Sequence, residues 1–232
     1  MTLHIGILLF PKVQQLDLTG PYDVFATLPG VTVHLLWKEL EPVTSSTGLL
    51  MMPTRTFRGC PPLDVICVPG GVGVDALMED PETLAFIQQQ AATASYVTSV
   101  CTGALVLGAA GLLKGRRATT HWASHELLAQ FGAIPVHERV VRDGKLMTGG
   151  GVTAGIDFAL TLISELLGEE KAQLVQLQLE YAPAPPFDSG RPDTASPQVL
   201  ALAEERAAPG LMVRREIVQR VIAGKVVQNA AG

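Results

Sequence analysis

Four short apolar runs, each cut off by glycine, proline or a polar turn, constrain this chain more than any other feature. Residues 5–10 form an uninterrupted run stopped by Pro11, and similar runs follow at Val31–Trp37, 64–68 and Tyr96–Val100. A run without polar alternation suits a strand buried on both faces, the condition of a parallel sheet covered by helices on each side. Helical patterns lie between the runs, at 21–28, where Pro21 suits a first turn, and at 81–94, where Asp80 is placed to cap. Such alternation predicts an α/β fold with a central, mainly parallel sheet flanked by helices.

Further along, residues 122–131 read as a helix, and Asp143-Gly144 between two short extended runs over 138–148 reads as a hairpin. Residues 151–167 carry a wide apolar face closed by Gly168, which predicts a largely buried helix, and 169–181 predict another. From 182 to 197 the chain turns rich in Pro, Ser, Gly and Asp, an irregular arm expected to lead into one or two terminal helices. With 232 residues, one domain is expected: an α/β unit over 1–181, with 182–232 as an arm and helices packed on it.

Charge and cysteine content narrow the function classes. A net charge of -5 argues against a nucleic-acid partner, which calls for clustered Lys and Arg. The densest basic stretches, Lys114 with Arg116 and Arg117, and Arg214 with Arg215, fit solvated helix ends or turns. The apolar run 96–113 is broken by Ser99, Thr102 and several glycines, so no membrane span is expected, and the first residues lack the features of a signal peptide. Three cysteines without close spacing give neither a disulfide framework nor a metal pattern, and a reducing cytoplasm is the expected compartment.

Cys101 is the position richest in chemistry. It ends the run Tyr96–Val100 and precedes Thr102 and a helical stretch, so its sulfur is expected at the carboxyl edge of the sheet, on a strand-to-helix corner of the nucleophile-elbow kind. The helix beginning there is expected to favour the thiolate. Cys67 lies inside an apolar run and reads as core, and Cys60 has no activating neighbour in sequence. After another run come Pro69, Gly70 and Gly71, and two glycines there let backbone amides approach a substrate closely. The same tripeptide also makes an ordinary turn.

A nucleophilic thiol needs a partner to move protons. Asp17 follows the first strand and emerges at the same edge, either as that partner or as a cap on the turn before Pro21. Thr102 offers a hydroxyl and an amide beside the sulfur, or an N-cap of the usual kind. His121 and His125 follow Cys101 but read equally as ordinary core or surface histidines. The stretch Gly149-Gly150-Gly151 fits a dinucleotide fingerprint, yet no strand with a terminal acidic residue follows, so no nucleotide cofactor is expected. Its glycines better suit close backbone approach, with Val152 adding a helix-terminal amide to the pocket.

Val100-Cys101-Thr102-Gly103-Ala104, Pro69-Gly70-Gly71 and Ala118-Thr119-Thr120-His121-Trp122 resemble the ThiJ/PfpI, or Parkinsonism-associated deglycase, superfamily. The likeness runs over about residues 3–180 and implies a flavodoxin-like sandwich of the class I glutamine-amidotransferase type. Within the superfamily, residues 14–21, 148–151 and 179–187 are most similar to the bacterial isocyanide hydratases. No histidine follows residue 137, as an amidotransferase would need, and Thr102 stands where protease-like branches place histidine. Asp17 replaces the glutamate of the deglycase branch.

That resemblance implies a cofactor-independent hydro-lyase. Cys101 would attack an isocyanide carbon, Asp17 would exchange the protons, and a thioimidate would be hydrolysed to an N-substituted formamide. Thr102 would join Cys101 and Asp17 as a catalytic residue, Gly70, Gly71 and Val152 would bind substrate and its developing charge, and the resemblance implies a homodimer. The alternative is a ligand- or redox-sensing domain without turnover, related to the sensor domains of AraC-type regulators. The roughly 50 residues after Tyr181 and the acidic charge are expected to leave no room for their usual DNA-binding module.

Overall fold

The computed structural model describes residues 2–230. The chain runs β1 (Leu3–Leu8), α1 (Gln15–Ala26), β2 (Val31–Trp37), β3 (Val43–Thr44), β4 (Leu50–Met51), β5 (Arg55–Thr56) and β6 (Val65–Val68). It continues through α2 (Val74–Leu77), α3 (Pro81–Thr93), β7 (Tyr96–Val100), α4 (Gly103–Ala109), β8 (Arg117–Ala118) and a 3-10 turn at Trp122–Ser124. The last elements are α5 (Leu127–Gln130), β9 (Ile134–Pro135), β10 (Val140–Asp143), β11 (Leu146–Gly149), α6 (Ala154–Leu167), α7 (Glu169–Gln178) and α8 (Pro197–Ala230).

Seven strands form the central sheet in the order β10-β11-β7-β6-β1-β2-β5. All neighbours are parallel except β10 and β11, which pair antiparallel around Asp143-Gly144. The runs in β1, β6 and β7 are buried over most of their length, every residue of Val65–Val68 included, whereas β2, beside the short edge strand β5, buries only His34 and Leu36. Helices α1, α6 and α7 pack as one layer, and α3, α4, α5 and α8 gather as the other. Glycine permits the tight contact of α1 with α6: a Cβ on Gly155 would meet Pro21 Cδ at 3.1 Å.

Strand order decides where a ligand can enter. From β1 the chain moves to β2 on one side, whereas β6, β7 and β11 lie on the other, so the winding reverses between β1 and β6. At such a reversal the loops leaving neighbouring carboxyl ends diverge and open a crevice. Asp17 in the first turn of the helix after β1, Gly70-Gly71 in the loop after β6 and Cys101 directly after β7 lie at these carboxyl ends.

Two helical expectations need correction. α1 starts at Gln15, six residues ahead of the expected start, and holds Pro21 inside it, so Asp17 sits in a first helical turn. The expected helix 122–131 is a 3-10 turn and a separate short α5, because the His121 ring caps the turn by accepting from Ala123 N at 3.3 Å. Beyond the arm, 197–230 form a single helix, Pro209 included.

Candidate active site

Cys101 adopts φ 55°, a left-handed backbone that a residue with a side chain takes only under constraint. Three contacts impose it. The Cys101 amide donates to the carbonyls of Gly149 at 3.1 Å and Gly150 at 2.8 Å, and the Thr120 hydroxyl donates to the Cys101 carbonyl at 2.7 Å. The β7–α4 corner is thus gripped by the end of β11 and by the segment after β8. That strained elbow holds the sulfur at the carboxyl end of β7, within reach of Asp17 and the Thr102 amide.

The acid partner is buried beside it. Asp17 is 0% exposed, and its Oδ2 accepts from Gly70 N at 2.9 Å, while Oδ1 is left without a hydrogen-bond partner. Burial disfavours the charged form and pushes the Asp17 carboxyl up to about 7, opposed by hydrogen bonding from the Gly70 amide and the Cys101 side chain. Asp17 does not cap a turn, since the residue before α1 is Gln14.

Cys101 itself, 5% exposed, departs from the sequence expectation. Burial, then the Asp17 charge, push its thiol above the ordinary range, while the Thr102 amide and hydroxyl act the other way. The expected helix effect is outweighed because α4 has seven residues and the sulfur has little water. Through neutral pH the thiol therefore keeps its proton while the Asp17 carboxyl titrates, and the ionised carboxyl is the base placed to take that proton.

Thr102 caps nothing with its side chain. Its Oγ1 accepts from Gly71 N at 3.0 Å and donates back to Gly71 O at 3.3 Å, locking the loop after β6 to the elbow. The Gly70 and Gly71 amides, read from sequence as donors to substrate, thus hold Asp17 and Thr102. Gly70 is the residue this crowding demands: a Cβ there would lie 2.6 Å from Thr102 N and 2.7 Å from Asp17 Oδ2. Gly71 has φ +129°, open to glycine at little cost.

Asp17, Gly70, Gly71, Cys101 and Thr102 therefore converge. Val152, half-buried, stands two residues after Gly150, whose carbonyl holds the Cys101 amide. His121 comes near through Gly151, where a Cβ would meet its Cδ2 at 3.2 Å. His125 pairs with the Val136 carbonyl at 3.0 Å and stacks on His137. Sequence reasoning missed Thr120 as the anchor of the elbow; a hydroxyl two residues after β8 carries no signal of that partner.

The DJ-1/PfpI family profile matches residues 4–165. The chain belongs to the DJ-1/PfpI family. Among relatives of this DJ-1/PfpI protein, an isonitrile hydratase of Pseudomonas putida is 71% identical over 223 residues, 96% of this chain and 98% of that one. The crystal structure of a ThiJ/PfpI family protein from Pseudomonas syringae superposes with a TM-score of 0.92 at 44% identity, covering 94% of this chain and 91% of the other. The HTH-type transcriptional regulator GbdR of Pseudomonas aeruginosa is 30% identical over 150 residues, 64% of this chain and 41% of the regulator.

Proposed function

We propose that this DJ-1/PfpI protein is an isocyanide hydratase, converting an isocyanide and water to an N-substituted formamide. The observation that carries the chemistry is the buried Asp17 carboxyl, raised to about 7 and set against the Cys101 side chain. The near full-length similarity to an isonitrile hydratase supports the same reading, while the regulator similarity extends over less than half of that protein.

An isocyanide carbon accepts a nucleophile and becomes basic as the new bond forms. Ionised Asp17 takes the thiol proton as the Cys101 sulfur bonds to that carbon, then delivers it to the same carbon, giving a thioimidate S–CH=N–R. Asp17, ionised again, takes a proton from water as the water oxygen adds to the carbon, and passes that proton to the nitrogen. The C–S bond then breaks as the carbonyl forms, and the hydroxyl proton returns through Asp17 to the departing sulfur. The sum is isocyanide plus water to formamide, and no redox partner or cofactor is needed.

General acid–base catalysis of this kind contributes about 10²–10⁴-fold. Thr102 steadies charge on the sulfur through its amide, and Gly70, Gly71 and Val152 form the pocket walls. The groups that touch substrate lie before residue 182, and helix α8, which follows the arm, packs on the same domain. We assign the protein to the cytoplasm as a homodimer without a nucleic-acid partner, a reading supported by its free cysteines and acidic charge. No helix among the described residues is long and apolar enough to cross a membrane.

Incubation with an aryl isocyanide tests this directly. Wild-type protein is expected to yield the formamide and Cys101→Ala none. Turnover by the cysteine variant at the wild-type rate would remove the covalent route, and none by the wild type with aryl and alkyl isocyanides would favour a sensor.

A further inference from the structure

Helix α8 returns across the molecule and sets one guanidinium between two elements that leave the site. Arg214, its side chain 13% exposed, donates from Nε to Asp75 Oδ1 at 2.7 Å and from Nη1 to Ser124 Oγ at 3.2 Å. Asp75 lies in α2, directly after the loop whose Gly70 holds Asp17 and whose Gly71 holds Thr102. Ser124, buried, ends the 3-10 turn that follows Thr120 and His121, the first gripping the Cys101 carbonyl and the second lying against Gly151. One side chain from a distant helix therefore ties together the exits of both segments flanking the sulfur.

Two neighbours on α8 give a built-in comparison. Arg215 bonds Glu126 and Arg220 bonds Glu79, and both pairs stand well exposed. Exposed pairs of that kind contribute little, because water screens the charges and the long side chains lose freedom. Arg214 differs in burial, in being divided between two partners, and in where those partners lead.

We propose that Arg214 is a positioning residue for the hydration reaction, fixing from outside the pocket the separation between the Gly70–Gly73 loop and the Thr119–His121 segment. Other contacts hold each segment separately. The first is held to Asp17, Thr102, Gln14, Val13 and Lys12, and the second to Cys101 and Thr148. These contacts anchor each segment to its own surroundings, and Arg214 links the elements that follow the two. Reaction needs the sulfur, the carboxyl and the substrate carbon in register, and a misplacement of about 1 Å costs about 100-fold in rate. Arg suits the task because its planar fork engages two acceptors in fixed directions.

This inference rests on the hydratase reading, so its test carries a readout independent of turnover. Full-length Arg214→Ala, Arg215→Ala and Arg220→Ala are compared for thermal stability, for kcat and KM on an aryl isocyanide, and for the rate at which iodoacetamide alkylates Cys101, followed by peptide mass mapping with Cys60 as internal reference. Arg214→Ala is expected to lose at least tenfold in kcat with KM changed less than threefold, and to shift Cys101 alkylation at least threefold while Cys60 is unmoved. Arg215→Ala and Arg220→Ala are expected to stay within twofold of wild type in both.

Wild-type kcat and alkylation in Arg214→Ala would overturn the proposal, as would equal losses in all three variants, which would mean only that α8 must dock. If Arg214→Ala does not fold, Ser124→Ala removes one arm by a single oxygen. A severalfold fall in its kcat supports the role, and an unchanged kcat refutes it. Absence of turnover in the wild type would sink the hydratase reading alone, and the alkylation comparison would still decide the clamp.

Discussion

The Asp17 carboxyl takes its ionisation from its surroundings, and two pH dependences follow. Its folded-state value near 7 stands above the ordinary 3.8, so the folded protein holds a proton there that the unfolded chain releases. This contribution to stability is full below about pH 4 and declines as pH rises to about 7, a difference of about 4 kcal/mol. Asp17→Asn cannot ionise, so its stability relative to wild type is expected to climb between pH 4.5 and pH 8 in urea unfolding; the same difference at both pH values would refute the burial argument. Activity moves the opposite way. Only the ionised carboxyl can take the thiol proton, so kcat/KM is expected to rise through about pH 7, and Asp17→Asn to abolish that limb with a loss of about 10²–10⁴-fold. A wild-type profile flat from pH 5 to 8 would exclude Asp17 as the proton carrier.

Among the elements, the β7–α4 elbow shows what packing demands of sequence. Gly103 opens α4 hard against β6, and a Cβ there would lie 1.9 Å from Val68 O, a contact with backbone that no rotamer relieves. Gly103→Ala is expected to destabilise the fold by about 3 kcal/mol or more, read as a large fall in melting temperature; a melting temperature within a degree of wild type would show that the elbow yields freely. The strands were legible because unbroken apolar runs such as Val65–Val68 have few homes other than a doubly covered sheet. The Asp143-Gly144 hairpin and the Gly168 stop were legible because glycine supplies φ 63° and 96° there. The start of α1 was not, since Pro21 within a helix reads as a beginning, and the contact that accommodates it lies on Gly155, far along the chain. The same distance hid the Thr102 hydroxyl's preference for Gly71 over capping. For the site, residue types and corner geometry pointed to Asp17 and Cys101, but the balance between helix field and burial needed the surroundings in three dimensions.

For the molecule as a whole, the question is whether residues 182–232 are an appendage or part of the fold. Helix α8 seals Ile217 and Val218 from water and packs Leu211, Val221 and Ile222 against the same core, covering α4, α5 and the Trp122–Ser124 turn. Burying a large aliphatic side chain contributes about 1.5–3 kcal/mol, so the two sealed residues and their three partly buried neighbours together rival a typical net stability of about 5–15 kcal/mol. Removing the helix would also uncover an apolar face and leave the Asp75 carboxylate without Arg214. A chain ending at residue 181, although it keeps Asp17, Gly70, Gly71, Cys101 and Thr102, is therefore expected to be insoluble or to unfold without a cooperative transition. Static light scattering and thermal melting of that fragment check it: a soluble fragment that melts cooperatively near the full-length temperature would make α8 an appendage, because its apolar contacts would then contribute far less than their burial implies.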